Sequence, residues 1–165
     1  MVTQDFENKT RQLIDSLKGI CASYGLGNDG NEFKIITQVF LYKFLNDKFA
    51  FEAKRIDPSL IKADSWEKTI AAMSEDKFEM LQFQMGADTA RLKPEHFISH
   101  LFSLQNAPDF AKLFDDTLRD IAIFNNEIFE VDELFRFFKL RKNCLKSLFA
   151  VQQDINMVFA CKKCL

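Results

Sequence analysis

Apolar residues recur at spacings of three and four from Phe6 through Leu13, Ile14, Leu17, Ile20 and Cys21 to Tyr24, which predicts a helix over about 4–24 with one buried stripe. Thr3 suits its N-cap, Asp5 and Glu7 suit the positive pole of its first turn, and Gly25, Gly27 and Gly30 around Asn28 and Asp29 end it in a loop. A second helix is predicted from about Asn31 to Arg55. Phe33, Ile36, Val39, Phe40, Phe44 and Leu45 share one face, and Ile35, Leu41, Tyr42 and Phe49 widen the apolar surface beyond a single stripe. A helix apolar over more than half its circumference is central to a bundle or faces a partner.

The remaining pattern is shorter in period and well punctuated. Pro58 breaks the chain, and Asp64 with Glu67 reads as a capping box for a short helix carrying Trp66. Another short helix is predicted over 75–85, closed by Gly86. Pro94 and Pro108 sit where a missing N–H costs nothing, at the start of helices predicted over 94–105 and 109–124. Helical periodicity resumes from Ile128. No stretch alternates cleanly enough for a strand, so the expected fold is all-α, a compact multi-helix bundle of about seven or eight helices without internal repeats.

Composition sharpens this picture. Of 165 residues 47% are hydrophobic and 28% charged, with 5 glycines, 3 prolines and 19 phenylalanines, which suits a globular helical protein and argues against disorder. No apolar run approaches a membrane span, and the polar N-terminus does not read as a signal or transit peptide, so a cytoplasmic address and no membrane partner are expected. The net charge of −2 conceals an asymmetry. Residues 1–133 carry 15 Lys and Arg against 23 Asp and Glu, whereas 134–165 carry 7 against 1 and hold Cys144, Cys161 and Cys164. The chain therefore divides into a helical domain, 1–132, and a basic, cysteine-containing helical tail, 133–165.

Several motifs are chemically suggestive but weak. Gly25-Leu26-Gly27-Asn28-Asp29-Gly30 matches the dinucleotide fingerprint, yet that motif needs a preceding strand, and here a helix precedes it. Cys161-Lys162-Lys163-Cys164 is half a zinc knuckle, for which Cys21, Cys144, His96 or His100 would have to supply the other ligands; thiols on a frayed terminus are the simpler reading. His96 and His100 at i,i+4 are expected to share a partly exposed helix face, and Asp115, Asp116 and Asp120 a solvated one. The run Arg136, Lys139, Arg141, Lys142 and Lys146, interleaved with Phe135, Phe137 and Phe138, could meet DNA phosphates or simply solvate a helix end. No catalytic, cofactor-binding or metal site is expected in this chain.

One stretch is more specific. Glu32-Phe33-Lys34, then Val39-Phe40-Leu41 and Tyr42-Lys43-Phe44-Leu45-Asn46-Asp47-Lys48-Phe49, resembles the start of the modification subunit of type I restriction–modification systems. That family follows acidic-Phe, an apolar run, then Phe/Tyr-Lys/Arg-Phe-Leu-Ser/Asn-Asp/Glu-x-Phe, and the run Ala107-Pro108-Asp109-Phe110 to Asn125 looks like the same domain. The resemblance implies a non-catalytic N-terminal helical domain that joins a second modification subunit and the specificity subunit and helps close the complex around double-stranded DNA. In the family, a following domain transfers a methyl group from S-adenosylmethionine to adenine N6 through an Asn-Pro-Pro-Phe motif. This sequence has no such motif, since none of Pro58, Pro94 and Pro108 is followed by another proline. The family pattern stops near Asp132, where a changed reading frame is suspected; an uninterrupted parent frame with the same tail would refute that.

Candidate interface or core residues are therefore Phe33, Val39, Phe40, Tyr42, Phe44, Leu45 and Phe49, and candidate DNA-backbone contacts are Arg136, Lys139, Arg141, Lys142 and Lys146. The rival reading is a free-standing helical adaptor that offers the same apolar face to another protein. A nucleic-acid-binding protein working through the 135–146 ridge is a third.

Overall fold

The computed structural model describes residues 2–23, 25, 27 and 30–125. These residues are helical, with no strand among them: α1 (Val2–Ser23), α2 (Gly30–Ile56), α3 (Ser59–Lys62), α4 (Trp66–Ala71), α5 (Glu75–Phe83), a 3-10 turn (Pro94–His96), α6 (Ile98–Ser103) and α7 (Phe110–Phe124). The expected all-α bundle is present, with seven α-helices among the described residues. The chain forms two compact units, one from Met1–Thr37 with Gln105–Ala111, the other from Gln38–Leu104 with the described part of Lys112–Phe138. The division expected at residue 132 lies outside the described residues.

In the first unit, α1 buries Leu13, Leu17 and Cys21, one residue per turn on a single stripe. Thr3 lies inside this helix rather than capping it. At the C-terminal end the Ser23 hydroxyl donates to the Ile20 carbonyl at 2.8 Å and the Gly25 N–H to the Ala22 carbonyl at 3.0 Å. Gly25 has φ +74°, the left-handed conformation that lets a chain leave a helix and that other residues adopt at a cost.

The second unit holds most of the described core. α2 has Lys54 and Arg55 in its last turn, complementing the negative pole, and Pro58 stops it. Phe49, fully buried, meets Phe97 at 5.5 Å and Trp66 at 6.3 Å between ring centroids, and Trp66 lies 4.9 Å from Phe97. Such tilted contacts between large rings suit their quadrupoles and bury much area per residue. The short helices α3, α4, α5 and α6 contribute Leu60, Ile70, Leu81 and Leu101, and α7 contributes Phe114, Leu118 and Ile121 at helical spacing.

Two further boundaries differ from expectation. α4 is capped by Ser65, whose hydroxyl accepts from the Lys68 N–H at 3.3 Å and donates to the Glu67 carboxylate at 2.9 Å, so the capping pair is Ser65 with Lys68 and not Asp64 with Glu67. The helix predicted over 94–105 is broken. Pro94–His96 form a single 3-10 turn, Phe97 is extended (φ −70°, ψ 142°), and α6 begins afresh at Ile98. The break sets the Phe97 ring in the Phe49 and Trp66 cluster, while the Phe97 N–H still donates to the Pro94 carbonyl at 3.2 Å and its carbonyl accepts from the His100 N–H at 3.0 Å.

Between α5 and the 3-10 turn the chain passes through turns over 84–89, and the following residues 90–93 belong to neither helix nor strand, so side chains help satisfy their backbone. The Asn125 carboxamide accepts from the Arg91 N–H at 2.7 Å and donates to the Arg91 carbonyl at 2.9 Å and the Ile121 carbonyl at 2.8 Å. Gln82 Nε2 donates to the Leu92 carbonyl at 2.8 Å. Asn125 thus joins the end of α7 to this segment.

Candidate interaction surface

The eight residues Tyr42 to Phe49 can be taken one at a time. The Tyr42 hydroxyl, buried, donates to the His96 carbonyl at 2.6 Å, and its ring meets Phe114 edge-on at 5.9 Å. Burial raises the Tyr42 phenol well above its ordinary pKa, so the donor stays protonated. Lys43 is buried and pairs one turn on with Asp47. Leu45 is in the core. Asn46 Oδ1 accepts the Ile98 N–H at 3.2 Å, satisfying one orphan donor at the start of α6. Lys48 reaches Asp88, and Phe49 anchors the aromatic cluster.

Phe44 is the exception. Its residue surface is 50% exposed, in the middle of a helix whose neighbours are all engaged. Seven residues on, Phe51 lies on the same stripe and is 43% exposed; Phe33, on the same helix, is 73% exposed. The candidate interface or core residues thus separate by burial. Val39, Tyr42, Leu45 and Phe49 are core, Phe40 is half-buried, and Phe33 and Phe44 are at the surface. Sequence reasoning missed Phe51, although its i,i+7 relation to Phe44 was the available signal. It also missed Met80 and Phe83 on α5, which are 63% and 88% exposed.

The polar candidates are distributed differently from expectation. His96 and His100 do not share a helix face, because the break at Phe97 puts His96 in the buried 3-10 turn and His100 on α6, exposed. Asp115 and Asp116 lie along α7, where Asp115 faces Arg119 and Asp116 faces Lys112, while Asp120 accepts from Lys93 Nζ at 2.9 Å. Lys93 and, secondarily, His96 hold the Asp120 carboxyl below its ordinary range. Among the described residues no three His, Cys, Asp or Glu side chains are grouped to hold a metal ion. The Gly25–Gly30 loop follows α1, a helix, and lacks the strand that a pyrophosphate loop requires. A cleft of about 410 Å³ opens between α4 and α6, with Phe97, Ser65, Lys68, Glu95 and His100 among the residues that line it. Arg136, Lys139, Arg141, Lys142 and Lys146, with Cys144, Cys161 and Cys164, lie outside the described residues.

Comparison with family models, curated proteins and solved structures finds no match to this chain. Among the described residues no helix is long and apolar enough to cross a membrane.

Proposed function

We propose that this chain is the non-catalytic helical domain of a type I restriction–modification adenine-N6 methyltransferase subunit, and that it serves subunit assembly and closure around double-stranded DNA in the bacterial cytoplasm. One observation carries the reading. Within Tyr42–Phe49, part of the stretch that resembles that family, the other seven residues are buried or paired with a neighbour, and Phe44 alone is half-exposed with an apolar side chain. A half-exposed phenylalanine is unremarkable singly; with Phe51 on the same stripe it makes an aromatic strip suited to a protein partner. In this reading the partners are the specificity subunit and a second modification subunit, S-adenosylmethionine belongs to a separate catalytic domain, and the 136–146 ridge adds DNA-backbone contacts.

The test is the solution mass of the chain by light scattering, alone, with the specificity subunit encoded beside it, and with a DNA duplex added. A complex that Phe44→Ser weakens at unchanged melting temperature supports the proposal. A monomer indifferent to the specificity subunit, with no such subunit in the gene neighbourhood, refutes it. A salt titration of duplex binding checks the ridge, because several phosphate contacts give a steep slope.

The adaptor reading has its own observation. Met80 and Phe83 form an exposed apolar pair on α5, outside the stretch that carries the resemblance. A partner lost on Phe83→Ser but kept on Phe44→Ser would favour it.

A further inference from the structure

We propose that His96 is a pH-sensitive latch: its neutral ring ties the turn Lys93–Phe97 to α7, and a second ring proton releases that turn. The inference begins with hydrogen-bond polarity. The Lys93 backbone N–H points at His96 Nδ1 at 3.2 Å. A backbone N–H can only donate, so Nδ1 must present its lone pair. The single proton of the neutral ring is therefore on Nε2, which donates to Asp120 Oδ2 at 2.8 Å. The His96 N–H in turn donates to the Lys93 carbonyl at 2.9 Å, so His96 and Lys93 close a reciprocal pair of the kind a Glu or Gln makes in a capping box. The His96 carbonyl accepts from Tyr42. Both ring nitrogens are thereby committed, and the side chain is 2% exposed.

The charges around the ring come from every element packed on it. α7 presents Asp120, the turn itself presents Glu95 and Lys93, and α2 presents the uncharged Tyr42 hydroxyl. Asp120 and Glu95 favour an imidazolium, whereas burial and Lys93 oppose it; burial is the largest effect, and it holds the ring below the ordinary histidine pKa of 6.5. When the proton does arrive, it must go to Nδ1. The new N–H then faces the Lys93 N–H, donor against donor, and the turn has to open. Pro94, Glu95 and Phe97 of this turn line the cleft between α4 and α6. Opening the latch consequently reshapes that cleft and disturbs the Phe97 contact with Trp66, the one tryptophan in the chain.

The experiment uses the full chain. Long-range 15N–1H correlation of the histidine rings should find His96 as the Nε2–H tautomer near neutral pH. Below pH 6.5 its titration should coincide with loss of protection at the Lys93 amide and a change in Trp66 fluorescence. An Nδ1–H tautomer, or a ring that titrates without moving Lys93 and Trp66, overturns the proposal. Two variants separate the latch from general acid loosening. His96→Asn keeps an acceptor for the Lys93 N–H and cannot be protonated, so the fluorescence step should vanish; a step that persists overturns the latch. Asp120→Asn keeps the acceptor for Nε2–H and removes the charge that favours imidazolium, so the step should move down by about 1 pH unit. An unchanged or raised midpoint counts against it. Should His96→Asn fail to fold, the tautomer of the natural chain still decides.

Discussion

Replacing Phe49 and Phe44 by alanine, two phenylalanines five residues apart on α2, should give sharply different stabilities. Phe49 has no exposed surface and touches Phe97 and Trp66, so its truncation removes the transfer energy of a whole ring and leaves a cavity between two others. The expected cost is about 3–5 kcal/mol. Phe44 keeps half its surface in solvent, so truncation there loses about 1 kcal/mol of burial and leaves no enclosed void. Trp66 sits in the cluster and is the only tryptophan, so urea unfolding followed by its fluorescence reports on the unit in question. With an m-value of roughly 1.5 kcal/mol per molar urea, Phe49→Ala should lower the midpoint by about 2–3 M and Phe44→Ala by under 1 M. A chain near the lower end of natural stability, about 5 kcal/mol, would leave the Phe49 variant partly unfolded without denaturant. Equal shifts, or a larger one for Phe44, would mean that Phe44 is core and would remove the main support for an interaction surface on α2.

Tyr42→Phe keeps the edge contact with Phe114 and strips the donor from the buried His96 carbonyl, so it should cost about 1–3 kcal/mol in the same urea assay. Asn125→Ala leaves the Arg91 N–H and carbonyl without their side-chain partner; a loss of about 1–2 kcal/mol, with faster exchange of the Arg91 amide, is expected. Stability should also fall with acid in two stages. His96 has a lowered folded pKa, so its contribution is complete above about 6.5 and declines as pH drops toward the folded value. Asp120, lowered mainly by its bond to Lys93, loses its contribution only below about pH 4. Melting temperatures from pH 8 to 3 check this, and a rise in stability between pH 6.5 and 5 contradicts the first stage.

The helical fold was legible because the signals for it are local. Three- and four-residue spacing marks α1 and α2, and Pro58, Gly86 and Pro108 punctuate where helices end or begin. What escaped is non-local. The break at Phe97 follows from an aromatic pocket built by Phe49 and Trp66, far away in sequence, and no window of residues around 97 reveals that pocket. Asn125 ends α7, and its task is to pair with the backbone of Arg91, which belongs to neither helix nor strand. Asn46 and Asp47 take their meaning only from the fold, as a cap for α6 and a partner for buried Lys43.

The same distinction bears on the candidate surface. Periodicity placed Phe33, Phe40, Phe44 and Leu45 on one face and Ile35, Leu41, Tyr42 and Phe49 on the widened flank, which could not say which side met a core. Burial cuts across both groups: Val39 and Leu45 of the principal face and Tyr42 and Phe49 of the flank are inside, while Phe33 is largely and Phe44 half outside. A helix of mixed apolar character therefore has its polar side chains decide its orientation. Tyr42 needs the His96 carbonyl and Asn46 the Ile98 N–H, and each would incur a desolvation penalty if the helix rolled to bury Phe44 instead. Those two penalties together offset the gain from burying one more half-exposed ring. The exposed aromatic strip is thus a consequence of satisfied polar groups beneath it, and a variant that releases them, such as Tyr42→Phe with Asn46→Ala, should lose stability and expose Trp66 before it alters any association through Phe44.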